Sequence, residues 1–272
     1  MRVRGVIAVV GVEWFKLAAQ LKTRVVLGAC VAGPFLFAAT IRLQNSLPED
    51  TLFGRAVKES GFAVSLVILG FAALWACPAL TSAIGGDVFA AEDRHRTWKT
   101  VLTRSCSRAD VFVGKVLTAL GFSSLAVTLL AVSSVAAGLL LIGSQPLIGL
   151  SGVLLERDQA LMRVALAWVS VLPPAFGFTA LAVLLSVATR SSAAGIGLPV
   201  VAGLIMQLLA LVDGPEPVRQ ILISSAFGAW HGLLTAPPFY RPLVYGTVVS
   251  GIYFVVCLAI SYAIVRRRDI GE

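Results

Sequence analysis

The sequence predicts an all-α, polytopic membrane protein. It has six transmembrane helices, an N-terminal interfacial helix, a cytosolic helix between spans two and three, and a re-entrant outer segment before span six. Three observations predict it. The 272 residues are 58% hydrophobic and only 13% charged, with a mean hydropathy of +0.90, whereas soluble globular chains carry roughly 25% charged residues. Six apolar runs have the length needed to cross a hydrocarbon core about 30 Å thick: Val25–Ile41, Gly61–Ile84, Val116–Ile142, Val164–Ala188, Ala193–Val212 and Leu243–Val265. Finally, with both termini cytosolic, fifteen of the 22 Lys and Arg residues fall inside and seven outside, while the 14 acidic residues divide seven and seven. That is the positive-inside distribution. Too few residues remain for a second folded domain, so residues 1–272 read as one transmembrane unit.

Each element has its own signal. In residues 6–22, Ile7, Val10, Trp14, Leu17 and Leu21 recur at helical spacing, and Glu13, Lys16 and Gln20 occupy another face. This is the pattern of a helix lying in the headgroup plane. Glu13 and Lys16 also interrupt the apolar stretch that would otherwise suggest a cleaved signal peptide. Span one carries Gly33-Pro34, span two Pro78 and span four Pro173-Pro174, each a site for a kink. The loop 85–115 holds six basic residues. Gly85-Gly86 marks a helix end, Asp87 a possible cap for a short helix, and Ser107-Arg-Ala-Asp110 a capping box that opens the next helix. Thr189-Arg-Ser-Ser192 is a tight cytosolic turn. Residues 213–241 are apolar in part, but they contain Arg219 and His231 and are bracketed by prolines. A seventh crossing there would put Arg266–Arg268 outside, so the segment reads as re-entrant.

The net charge of +8 does not indicate nucleic acid, because its excess lies entirely on one membrane face, where anionic lipid headgroups are the fitting partner. The chemistry of common membrane enzymes and pumps is missing from the pattern. The apolar runs carry essentially no ionisable residues away from their ends, unlike a proton relay. Two histidines cannot build a His-rich metal site. No Gly-x-Ser-x-Gly elbow and no phosphate loop occurs; Gly114-Lys115 is followed by Val116. The four cysteines read as small apolar fillers: Cys30, Cys77 and Cys257 in spans, Cys106 in the loop.

The loop runs Glu92, Asp93, Thr97, Leu102, Arg104, Ser107-Arg108 and then Gly114-Lys115 at the mouth of span three. It resembles the corresponding loop of ABC-2-type transporter permeases, often Glu-x-x-x-Gly-Thr, an Arg-Pro-x-Ser-Arg stretch, then Gly-Lys. Arg96 stands where that pattern has Gly, and Ser105 where it has Pro. The layout of the whole chain is similar to the same family.

The resemblance implies the permease subunit of a bacterial plasma-membrane exporter, paired with a second permease copy or a homologous permease. It implies a separate ATP-binding-cassette ATPase subunit that binds ATP and Mg, with no cofactor in this chain. Docking would fall on Glu92, Asp93, Arg94, Thr97, Trp98, Lys99, Leu102, Arg104 and Arg108. On the residues alone, Trp98 and Leu102 lie four apart on one face and suit an apolar knob projecting into a cleft, and Arg94, Lys99 and Arg104 suit acidic rims or lipid phosphate. Trp75, Gln207 and Tyr253 are candidates for a translocation path, although Gln207 suits a hydrogen bond across a helix interface as well. An ATP-independent secondary transporter or channel, and a non-transport membrane scaffold, are the alternatives.

Overall fold

Apolar runs of this length leave the backbone one means of satisfying its polar groups out of water, which is the α-helix. The computed structural model describes residues 3–44, 51–98, 107–211 and 221–267, and these are mostly helical. Helix α1 (Val3–Ala19) passes through an extended Gln20 into α2 (Leu21–Leu43). Helix α3 (Gly61–Gly85) contains a π turn at Ala72–Ala76, and a short α4 (Ala90–His95) follows. Then come α5 (Arg108–Leu141), a hairpin of β1 (Leu147–Ile148) and β2 (Leu154–Leu155), α6 (Arg157–Val169) and α7 (Leu172–Thr189). The chain ends with α8 (Ser192–Leu211), a 3₁₀ segment (Ile223–Leu234) and α9 (Arg241–Arg267).

Six stretches among the described residues are long and apolar enough to cross a membrane: α2, α3, α5, α6 with α7, α8 and α9. They coincide with the six runs expected from the sequence: the first, second, fourth and sixth are extended by one to several residues, the third starts earlier and stops at Leu141, and the fifth covers Ser192–Leu209. The third begins at Arg108 rather than Val116, because Ser107 Oγ accepts from the Asp110 N–H at 3.1 Å and Asp110 Oδ2 accepts from the Ser107 N–H at 3.1 Å. This is the expected capping box. The fourth span breaks at Ser170-Val171, and α7 restarts with Pro173 in its first turn, where a missing N–H costs nothing.

Polar side chains join the spans internally. Ser65 and Ser134 hydroxyls lie 2.8 Å apart, and the Trp168 indole donates to Ser65 Oγ at 3.1 Å, linking α3, α5 and α6. Ser123 and Thr179 pair at 2.8 Å between α5 and α7. Interhelical bonds of this kind contribute about 0.6–2 kcal/mol each. Two glycine pairs bring backbones into contact. A Cβ on Gly61 would lie 2.3 Å from the Gly138 carbonyl oxygen, and one on Gly86 the same distance from the Gly195 carbonyl. Glycine therefore ends α3 at Gly86 for reasons of space, since its φ is an ordinary −73°.

The outward faces of α2, α8 and α9 are lined by Leu36, Val201, Ile205, Val248, Ile252 and Val255, all exposed. Such continuous apolar surface is untypical of a water-soluble monomer. At one end of the bundle the 3₁₀ segment is buried through Ile223, Phe227, Trp230 and Leu234. Trp230 stacks on Phe53 at 6.4 Å, and Arg163 donates to the carbonyls of Leu233 and Thr235 at 2.6 and 2.8 Å. The first part of the segment expected at 213–241, residues 213–220, lies outside the described residues. The opposite end gathers α1, α4, the start of α5 and the end of α9, where the Arg108 guanidinium donates to the Arg266 carbonyl at 2.8 Å.

Candidate functional site

The loop between α3 and α5 is fixed to the bundle by charge. Helix α4 is only six residues long and stops at Arg96, which adopts the left-handed conformation (φ 54°, ψ 34°). Its N-terminus lies against α7, where the Ala90 N–H donates to Ser186 Oγ at 3.0 Å. This orientation turns Glu92 inward, to 4% exposure. There it meets Lys115, 1% exposed in the first turns of α5.

Lysine has three N–H donors, and all three are used. Lys115 Nζ donates to Glu92 Oε1 at 2.9 Å, Glu13 Oε1 at 3.0 Å and the Val88 carbonyl at 2.9 Å. Lys16 donates to the same two carboxylates, at 2.8 Å to Glu13 and 2.9 Å to Glu92. Two cations and two anions thus close a neutral node that joins α1, α4 and α5. Burial opposes ionisation of Glu92, but Lys115, the Thr97 hydroxyl and Lys16 outweigh it and hold the carboxyl down to about 2. Burial also works against the Lys16 charge, and its bonds to Glu13 and Glu92 raise its pKa nonetheless. A second cluster lies alongside: Asp87 pairs with Lys22 and, at 3.5 Å, with Arg94, whose other nitrogen donates to Ser192 Oγ at 3.2 Å. Burial would raise the Asp87 carboxyl, yet Lys22, Ser192 and Arg94 hold it below its ordinary value.

A cavity of about 630 Å³ opens between α1, the end of α3 and α4. Val9, Val12 and Leu17 contribute apolar wall, and Glu13, Lys16, Asp87, Glu92 and Arg94 line the charged part. A smaller cavity of about 290 Å³ lies at the opposite end, between α3 and the 3₁₀ segment.

Several expectations are corrected here. Glu13, placed by its spacing on a face apart from the apolar positions, is 8% exposed and turned into the bundle, while Ile7 and Leu21 are 64% and 75% exposed, as an apolar face directed at the headgroup layer would be. Helix α1 turns Glu13 toward α5, where its carboxylate pairs with Lys115. Asp87 caps no helix; its carboxylate is taken by Lys22 and Arg94. Trp98 points inward, stacking on Phe89 at 6.3 Å and donating to Asp93 Oδ1 at 2.8 Å, so it is not a projecting knob.

Among the other docking candidates, Glu92 and Thr97 belong to the buried node, Arg94 is exposed and Arg108 holds the end of α9. Lys99, Leu102 and Arg104 lie outside the described residues. The path candidates do not come together in either cavity. Trp75 is 58% exposed within the π turn, and Tyr253 packs against the core. Gln207 donates to the Leu74 carbonyl across the α3–α8 interface. Four residues after Leu74 stands Pro78, which has no N–H to return to that carbonyl.

The node was hidden in the sequence because Glu13 and Lys115 are 102 residues apart. The one local signal was a pair of charges interrupting an otherwise apolar N-terminal helix. A comparison with curated proteins finds no match. A family model matches residues 35–271, and the chain belongs to that family, described as "Protein of unknown function (DUF2705)".

Proposed function

We propose that this chain is the permease subunit of an ABC-2-type exporter in a bacterial plasma membrane, with both termini cytosolic, moving its substrate by alternating access. A separate ATPase subunit binds ATP and Mg and docks on the loop between α3 and α5, and a second permease completes the pathway. The 3₁₀ segment serves as the re-entrant outer element. One observation carries the reading: Lys115 bonds to both Glu92 and Val88, so the loop is welded to the third span at a point where neither end is solvated. A push on the exposed Arg94, His95 and Arg96 side of α4 is thereby delivered to α5 and α1 without slack. The left-handed Arg96 adds support, because the resembling loop pattern has glycine there and glycine takes that conformation freely.

The test is co-purification of the tagged full chain from its native membrane. The reading expects an ATP-binding-cassette ATPase to travel with it, and expects Arg94→Glu with Arg96→Glu to release that subunit while insertion is unchanged. A chain that purifies with no ATPase, and transports in vesicles without ATP, would overturn it.

A further inference from the structure

We propose that the cavity between α1, the end of α3 and α4 binds an anionic phospholipid of the phosphatidylglycerol class, its phosphate on Arg94 and Lys16 and a headgroup hydroxyl on Gln20. Three observations carry this. The ion-pair network around the cavity contains three carboxylates (Glu13, Asp87, Glu92) and four cations (Lys16, Lys22, Arg94, Lys115), leaving one positive charge in excess. The buried Lys115 is fully used by its three acceptors, so the excess resides on side chains at the mouth. Lys16 and Arg94 there are 42% and 54% exposed. Gln20, which lines the cavity, has a buried Oε1 with no hydrogen-bond partner.

The remaining wall explains why the ligand is a lipid rather than a free anion. Val9, Val12, Leu17, Ile84 and Val88 line the cavity, so a headgroup there has apolar surface beside it for the start of an acyl chain. The volume of about 630 Å³ falls in the usual range for a small-molecule site. Gln20 is also the residue from which α2 enters its span, which sets the cavity at headgroup level. Phosphatidylglycerol supplies both required features: a phosphate anion and hydroxyl donors. The site does not depend on the presence of an ATPase.

The test is native mass spectrometry of the purified full chain, titrated with phosphatidylglycerol, phosphatidate and phosphatidylcholine of matched chains, and with inorganic phosphate as competitor. Phosphatidylglycerol should be retained over phosphatidylcholine. Arg94→Gln should lower that retention about tenfold, the scale of one charge-assisted contact. Gln20→Leu should lower phosphatidylglycerol retention about threefold and leave phosphatidate unchanged, a variant that removes no charge and keeps the node intact. Equal retention of phosphatidylglycerol and phosphatidylcholine, or wild-type retention in either variant, overturns the proposal. Full displacement by inorganic phosphate would do the same, and would mark a soluble-anion site.

Discussion

Lys115 Nζ lies 3.0 Å from Glu13 Oε1, joining the first turns of the third span to the middle of the N-terminal helix. The pair is enclosed, and its strength is decided by desolvation rather than by charge count. Removing one member of a buried pair costs far more than the pair contributes, because the remaining charge stays buried.

Lys115→Met should therefore destabilise the protein by about 3–5 kcal/mol, since Glu13 and Glu92 lose their buried partner and are left to share the half-exposed Lys16. Adding Glu92→Gln to it should recover part of that loss. Thermal unfolding of the single and double variants in one detergent checks this. Additive losses would show that the two residues do not act together.

The Glu92 carboxyl sits at about 2, below its ordinary 4.5, so the fold favours the ionised form. Its contribution is fully present above about 4.5 and is lost as pH falls from there toward about 2. The unfolding midpoint of the wild type should drop across that window. Glu92→Gln should start lower and show a flatter profile, and parallel profiles would contradict the assignment.

Gln207 and Pro78 should be coupled. Gln207→Leu withdraws the donor from the Leu74 carbonyl and should cost about 1–2 kcal/mol. Pro78→Ala gives residue 78 an N–H of its own, so in that background Gln207→Leu should cost much less. Stability of the four proteins in this double-mutant cycle measures the coupling.

The six spans were legible because a run of apolar residues acts locally, and so does a capping box: Ser107 and Asp110 are three apart and their geometry was readable. Partners distant in sequence were not. Asp87 looked like a cap because caps are local, and nothing in the order of residues indicated Lys22, 65 positions earlier. Trp98 looked like a projecting anchor because four-residue spacing defines a face without saying which way it points. Gly86 and Gly195 were each legible as small residues, but not as each other's contact.

That contact gives another expected outcome. Gly86→Ala and Gly195→Ala each place a methyl 2.3 Å from the opposing backbone, so either should push α3 and α8 apart. Loss of stability in both, with an engineered disulfide across the two helices forming less readily, is the expected result. Wild-type behaviour in both would mean the two backbones separate without cost.

Arg96→Gly should act in the opposite direction. An exposed arginine at φ 54° carries a conformational cost of about 1 kcal/mol that glycine lacks, so the unfolding midpoint should rise.

The saturation of Lys115 has a consequence for synthesis. Its three acceptors, Glu13, Val88 and Glu92, all precede it in the chain. A ribosome that has released residue 115 has already delivered every group the lysine needs, and the later spans contribute none. The ammonium can be neutralised as its helix leaves the translocon, so the N-terminal part of the protein can set its polar contacts before the last three spans have been translated.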